Sequence, residues 1–169
     1  MSFIGSGEKG VVYAPGYFLA HEECERKTKE FTQAMATTTA DGAKYVPMGT
    51  AYPSNDANAI GIVYEDVDVT TGDMPGSVVL SGVVYEDRLA ITGVDYQSVT
   101  PETGDNPKEK GWYERSGSAG SYVYTLTDDT TVQDGTTYYK AVDVRISSAA
   151  KTALQAKGFV FRTSPTVTR

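Results

Sequence analysis

The chain has 169 residues, 17 glycines, 12 tyrosines and a formal net charge of −7. A chain of this length can form one domain with a buried core and a small insertion. Its acidic balance argues against nucleic acid or an anionic membrane as a partner, because both require patches of Lys and Arg. The glycines, tyrosines and threonines favour strands and turns, so we expect a mainly β, β-rich α+β fold.

Cysteine content and the N-terminal residues indicate where the chain folds. Cys24 is the single cysteine, which excludes an intrachain disulfide and fits a reducing cytoplasm. The N-terminal stretch has no apolar run long enough for a signal peptide or a membrane span. We therefore expect the chain to be made in a cytoplasm, from which it could still leave as part of a particle.

Residues 1–22 combine Gly and Pro with aromatic side chains and show no helical or strand periodicity. They could be a disordered terminus. They could equally be an arm that becomes ordered on a partner, since disordered tails are usually poor in aromatic residues. The candidate contact residues of this N-terminal arm are Phe3, Ile4, Val11, Val12, Tyr13, Tyr17 and Phe18.

The next segments predict short strands. "ECERKTKEFTQA" fits a short charged helix and an edge strand equally well. Lys44–Val46 predicts a strand that ends before Pro47. In "AIGIVYEDVDV" the apolar alternation changes parity after Tyr64, which predicts a bulge or corner near Glu65–Asp66.

"VVLSGVVYEDRLAI" contains the longest predicted strand. Val78–Tyr85 is largely apolar on both faces, as expected for a strand covered on both sides. Leu89 and Ile91 are expected to end this core strand.

Residues 97–140 predict a small β-meander inserted into the main domain. "NPKEKGWYE" and "TVQDGTTYYK" loosely repeat one phrase, a polar turn followed by Gly and a strand with paired aromatics. Their rings can join neighbouring strands. They could form a miniature core or an outward-facing surface that stacks sugars. The residues concerned are Trp112, Tyr113, Tyr122, Tyr124, Tyr138 and Tyr139.

The C-terminal segment predicts a strand, one short helix and a last strand. Ala141–Ile146 is the first strand, and Ser147 or Ser148 caps a helix over residues 149–157. Gly158 is placed at the C′ position, and Phe159–Arg162 forms the last strand.

The predicted organisation is therefore an arm over residues 1–22, a core over residues 23–96 plus 141–169, and an aromatic β insertion over residues 97–140. Leu89 precedes the insertion and Ala141 follows it.

The residue types and spacings that catalysis requires are missing from the pattern. His21 is the only histidine, and it lies next to Glu22 and Glu23. The acidic run from Glu65 to Asp73 lacks the Gly and Glu that a calcium loop needs at its sixth and twelfth positions. We expect no enzyme activity, no catalytic residues, no metal site and no cofactor.

Residues 45–89 resemble the lambda-type head-decoration proteins of tailed bacteriophages, especially those of phages that infect Gram-positive bacteria. The phrases that carry the resemblance are "PMGT", "AIGIVYEDVDVT" and "VVLSGVVYEDRL". "AVDVRISSAAKTALQAKGFVF" resembles the closing strand, helix and strand of that family. The segment between these two stretches departs from the family pattern and resembles an accessory module of phage structural proteins.

The resemblance implies a β-rich fold with one or two helices. It implies homotrimers on the local threefold axes of a capsid and an arm that becomes ordered on binding. The expected function is capsid decoration, in which the protein binds the major capsid protein on the outer surface of the assembled virion head and stabilises it. The alternative is a virion adhesion module that contacts carbohydrate or the host envelope through the aromatic insertion.

Overall fold

A computed structural model of the chain describes residues 13–165, so Phe3, Ile4, Val11 and Val12 lie outside the described residues. The fold is mainly β, which confirms the predicted fold class. Within residues 13–165 there are twelve strands and one α-helix. The elements are β1 Glu25–Phe31, β2 Thr37–Thr38, β3 Lys44–Val46, β4 Ala51–Tyr52, β5 Gly61–Val63, β6 Val67–Asp68, β7 Met74–Tyr85, β8 Gly93–Ser98, β9 Tyr113–Ser116, β10 Val123–Leu126, β11 Tyr138–Val144, α1 Ser148–Gln155 and β12 Phe159–Arg162.

The chain divides into two compact units. Unit 2 is Gly93–Val144, and unit 1 comprises the residues before and after it. Unit 2 extends beyond the predicted insertion at both ends, because β8 pairs with β11 from Ser98↔Tyr139 to Gly93↔Val144. The segment beginning at Ala141 had been predicted to open a strand of the main core. The structure places it in the unit 2 sheet instead.

Strand β7 is the centre of the main sheet of unit 1. β1 pairs with it on one side, and β5 pairs with it and leads to the edge strand β4. β12 runs parallel to the second half of β7, from Phe159↔Gly82 to Arg162↔Tyr85. This arrangement confirms the central strand predicted from Val78–Tyr85, and it identifies the charged "ERKTKEF" segment as the edge strand β1. The prediction that Leu89 and Ile91 end this strand is wrong, because β7 ends at Tyr85 and a 3-10 turn follows it. Leu89 is buried beyond the turn, and Ile91 is 53% exposed.

A bulge in β7 decides which of its side chains face each core. Arg26 is opposite Val79, but Glu25 is opposite Ser81, so Leu80 is an extra residue on β7. An extra residue reverses the alternation of side chains that follow it. Val79 and Val84 are therefore buried in the same core cluster, although their numbers differ in parity.

The two faces of the main sheet bury separate clusters. The first lies beside α1 and contains Phe18, Ala51, Ala59, Ile62, Val79, Val84, Leu89, Ala150, Leu154 and Phe159. The second contains Phe31, Val46, Val63, Val67, Val69 and Val78. Burial of these apolar side chains is the main stabilising contribution to unit 1.

A separate three-stranded sheet of order β2-β3-β6 supplies part of the second cluster. β5 lies in the main sheet and β6 in this smaller one, and residues 64–66 connect them. The parity change in "AIGIVYEDVDV" therefore marks a corner where the chain passes from one sheet to the other, as predicted.

Helix α1 begins at its predicted cap and ends two residues before the predicted limit. The Ser147 hydroxyl accepts a hydrogen bond from the Ala150 N–H at 3.0 Å and donates one to the Asn55 carbonyl at 2.8 Å. Ala156 caps the C-terminus, so Lys157 occupies C′, and Gly158, with φ of 96°, lies at C″ instead of the predicted C′. Within the described residues no helix is long and apolar enough to cross a membrane.

Candidate docking surfaces

The N-terminal segment packs into the core of unit 1 at Phe18. The Phe18 side chain is 0% exposed in the core beside α1. Its carbonyl accepts a hydrogen bond from the Tyr85 N–H at 2.7 Å, and the Ala20 N–H donates to the Val83 carbonyl at 2.8 Å. The prediction of a free arm through residue 22, with Phe18 as a contact residue, is wrong at these positions, because a ring buried in the core cannot also contact a partner.

Tyr13 and Tyr17 lie just before this anchor and remain exposed, at 49% and 37%. Their rings stack with centroids 4.1 Å apart. The Arg88 guanidinium lies 4.7 Å from the centroid of Tyr17 and 4.5 Å from that of Tyr85. The exposed Tyr13 and Tyr17, together with the half-buried Tyr85 and Arg88, form a surface of unit 1 that we call the N-terminal patch.

The "EDR" turn after β7 connects the N-terminal patch to the C-terminal residues. Asp87 accepts hydrogen bonds from the backbone N–H of Ser164 at 2.8 Å and from its hydroxyl at 2.5 Å. The hydroxyl bond is the first cause that lowers the pKa of Asp87, and Arg88 adds to it. Glu86 pairs with Lys151 on α1 at 2.5 Å. Asp87 and Arg88 therefore contact the described ends of the chain, whereas Glu86 contacts α1.

Arg88 and Tyr85 were missed as candidate site residues, although they belong to the phrase "VVYEDRL". Arg88 also donates from Nε to the Ser164 hydroxyl at 3.0 Å. Its contacts join chain segments far apart in sequence, so no local periodicity could indicate them.

The acidic side chains of "EDVDVTTGD" bind backbone N–H groups. Asp66 accepts from Met48 at 2.8 Å, and Asp68 accepts from Thr70 at 2.9 Å. Asp73 accepts from the backbone N–H of Gln33 at 3.1 Å. Among residues 13–165, no three His, Cys, Asp or Glu side chains are grouped so that they could hold a metal ion.

His21 and Cys24 lie in the connection that leads into β1. His21 is exposed, whereas Cys24 is partly buried against the core beside α1.

Two of the aromatic residues predicted for the insertion form its core. Trp112 is 7% exposed, Tyr138 is 0% exposed, and their ring centroids are 5.7 Å apart. The Tyr138 hydroxyl donates to Asp129 at 2.5 Å and accepts from the Gln133 N–H at 3.1 Å. Burial, followed by the bond to Asp129, raises the pKa of Tyr138 above its ordinary value of 10.0. The miniature-core interpretation therefore holds for this pair, and neither ring faces outward.

The other aromatic residues of unit 2 form a second layer. The sheet has the order β10-β9-β11-β8. Tyr96 on one edge strand stacks on Tyr124 of the other, with centroids 4.0 Å apart and planes within 3°. Strands are about 4.8 Å apart, so rings on the two edge strands can meet only if the sheet curls or the side chains lean inward over the middle strands. Two more rings complete the cluster. The ring centroid of Tyr113 lies 5.0 Å from that of Tyr96, and the centroid of Tyr139 lies 5.2 Å from that of Tyr124.

Arg115 extends this layer to Tyr122. Its guanidinium carbon lies 4.2 Å from the ring centroid of Tyr122 and 5.1 Å from that of Tyr139. Tyr122 is 42% exposed, whereas Tyr139 is 7% exposed. Tyr96, Tyr113, Tyr122, Tyr124, Tyr139 and Arg115 are referred to below as the tyrosine face. The sequence interpretation included four of these residues and missed Tyr96 and Arg115.

A scan against protein-family models, a search of curated proteins and a search of solved structures found no match to the chain.

Proposed function

We propose that this chain is a decoration protein that binds the outer surface of an assembled bacteriophage head through its N-terminal patch and stabilises the shell. The observation that carries the proposal is an exposed pair of stacked tyrosines, Tyr13 and Tyr17, that directly precede the buried Phe18. Phe18 fixes this segment in the core, and the two tyrosines are 49% and 37% exposed beside Arg88. Tyr and Arg are the residue types enriched among the energetically dominant residues of protein interfaces.

The anchoring of this segment at Phe18 favours binding for a physical reason. A partner that binds residues 1–12 also brings the N-terminal patch close to its own surface. Contact between the partner and the patch then forms within one complex. Because the patch residues are already held by ring contacts, little side-chain freedom remains to be lost. Ligands that bind the native shell in many copies stabilise it by mass action.

The proposal includes the major capsid protein as partner and a homotrimeric arrangement of the chain around local threefold positions. Its support is the resemblance carried by residues 45–89 and 141–161. In the structure, the first of these stretches lies in unit 1 and forms β3 to β7.

Co-sedimentation with expanded, DNA-free shells of the phage that encodes the chain tests the proposal. The wild-type chain should sediment with the shells, and the double variant Tyr13→Ala/Tyr17→Ala should bind at least about tenfold more weakly, since interface tyrosines often contribute more than 1 kcal/mol each. Tyr122→Ala, which removes an equally exposed tyrosine from unit 2, is the matched control and should bind like the wild type.

Two results would contradict the proposal. One is a wild-type chain that stays in the supernatant with shells at saturating concentration. The other is a folded double variant with unchanged affinity, which would remove the N-terminal patch from the interface. A separate test concerns the trimer. Electron cryomicroscopy of shells decorated with the wild-type chain should show three copies around each local threefold position, and density elsewhere would exclude the trimeric arrangement.

A further inference from the structure

The tyrosine face and the Trp112 core lie on opposite faces of the unit 2 sheet. Side chains alternate between the two faces of a strand. Tyr139 is opposite Tyr113, which is in turn opposite Leu126, so these three share one face. Tyr138 and its partner Glu114 occupy the other.

The same alternation separates charge across this sheet. Arg115 shares the face of Tyr113, whereas Glu114 and Asp95 lie on the opposite face. Asp143 shares the face of Arg115 but lies six positions farther along the strand direction, about 20 Å away at 3.3 Å per residue. This distance exceeds the Debye length of about 8 Å at physiological ionic strength. Among the strand residues on the face of Arg115, no carboxylate therefore lies within a Debye length of it.

The guanidinium of Arg115 is held in place by aromatic rings. Its contacts with described residues are the rings of Tyr122 and Tyr139. Within residues 13–165 no carboxylate pairs with it and no acceptor receives its N–H groups. A planar guanidinium fixed on aromatic rings binds a carboxylate through two parallel hydrogen bonds with little further ordering.

The surface around Arg115 has the chemistry that recognises sugar rings. Tyr122 is 42% exposed, and Leu126 on the same face is 58% exposed. The electron-rich face of a tyrosine ring attracts the C–H groups of a pyranose, and tyrosine hydroxyls can exchange hydrogen bonds with sugar hydroxyls.

We propose that Arg115 and Tyr122, with Tyr96 and Tyr124 beside them, form a binding site for a polysaccharide that carries carboxylate groups. Tyr122 stacks on a sugar ring, and Arg115 pairs with the carboxylate of the same or the next ring. This site goes beyond shell decoration and would operate whether or not unit 1 binds a capsid.

The test uses the full chain and a pair of matched ligands. The probe is an oligogalacturonate, and the control ligand is the same oligosaccharide with its carboxyl groups methyl-esterified. Titration followed by NMR chemical shifts should show binding of the acid form, with shifts centred on Arg115 and Tyr122, and at least about tenfold weaker binding of the ester.

Variants separate a built site from general attraction between charges. Arg115→Gln should weaken oligogalacturonate binding at least about tenfold, and Arg115→Lys should restore it only in part, because an ammonium cannot form the paired hydrogen bonds. Lys140→Gln removes a cation from the opposite face and should leave affinity unchanged. Each variant is checked for folding through Trp112 fluorescence.

The proposal is overturned if neither oligosaccharide binds at millimolar concentration, or if the ester binds as well as the acid. Equal binding of polyglutamate would also overturn it, since charge alone would then suffice. If Arg115→Gln leaves oligogalacturonate binding intact but weakens shell binding, the face contacts protein and the sugar site is wrong.

Discussion

Phe18→Ala tests whether the N-terminal segment belongs to the core of unit 1. The Phe18 ring is fully buried in a cluster that includes Val84, Leu89 and Leu154. Replacing a buried Phe by Ala costs about 3–5 kcal/mol, from the lost transfer free energy and the cavity that remains. If residues 1–22 were a free arm, the substitution would change the free energy of unfolding by less than about 0.5 kcal/mol.

The two outcomes differ enough to be resolved by urea unfolding. With a denaturant dependence of about 1–3 kcal/mol per molar urea, a loss of 3 kcal/mol lowers the midpoint by about 1 M or more. Far-UV circular dichroism is the appropriate signal, because the single tryptophan, Trp112, lies in unit 2.

Tyr13→Ala is the matched control for this measurement. Its ring is 49% exposed and lies in the same segment, five residues before Phe18 in the chain. It should shift the free energy of unfolding by no more than about 0.5 kcal/mol. A Phe18→Ala midpoint equal to that of the control would refute the packing of this segment on β7.

Three further predictions follow from the fold. Replacing Gly93–Val144 by a short Gly-Ser linker should abolish tryptophan fluorescence but leave unit 1 with a cooperative unfolding transition. The reason is that the two ends of unit 2 pair with each other, so a short linker can join the flanking residues. An insoluble product would contradict the division into units. Ser147→Ala should lower the free energy of unfolding by about 1–2 kcal/mol through loss of the helix cap, whereas Ser148→Ala, the exposed neighbour, should change it little in the same urea titration. The stability contributed by Tyr138 should be complete below pH 10 and should decline as the pH rises above 10, because the side chain releases its proton at a lower pH in the unfolded chain than in the folded one. The free energy of unfolding of Tyr138→Phe should therefore depend less steeply on pH in that range than that of the wild type, and equal slopes would contradict the raised pKa.

Local patterns in the sequence predicted the elements whose signals are short-range. The Ser147 cap and the strand break before Pro47 depend on one residue and its neighbours. The parity change near Glu65–Asp66 required a corner, because a strand cannot turn its apolar side chains to another face without one. The apolar run of Val78–Tyr85 likewise required cover on both sides, and the two core clusters provide it.

The limits of unit 2 were beyond the reach of such patterns. Val94, Asp95 and Gln97 are all exposed, and their polar and apolar side chains do not alternate in a clear pattern. Strand β8 is therefore specified by its pairing with β11 rather than by its own residues. β-propensity depends on cross-strand neighbours, which a single segment does not reveal.

The candidate surfaces divide in the same way. The sequence by itself showed that the chain is rich in aromatic residues near its N-terminus and in the insertion. Only the tertiary structure separated Phe18 and Trp112, which are buried, from Tyr17 and Tyr122, which are exposed. It also brought Arg88 and Arg115 against their tyrosines. The physical reason is that burial and cation–π contact depend on segments distant in sequence, so an aromatic ring belongs to the core or to the surface according to the residues that pack around it.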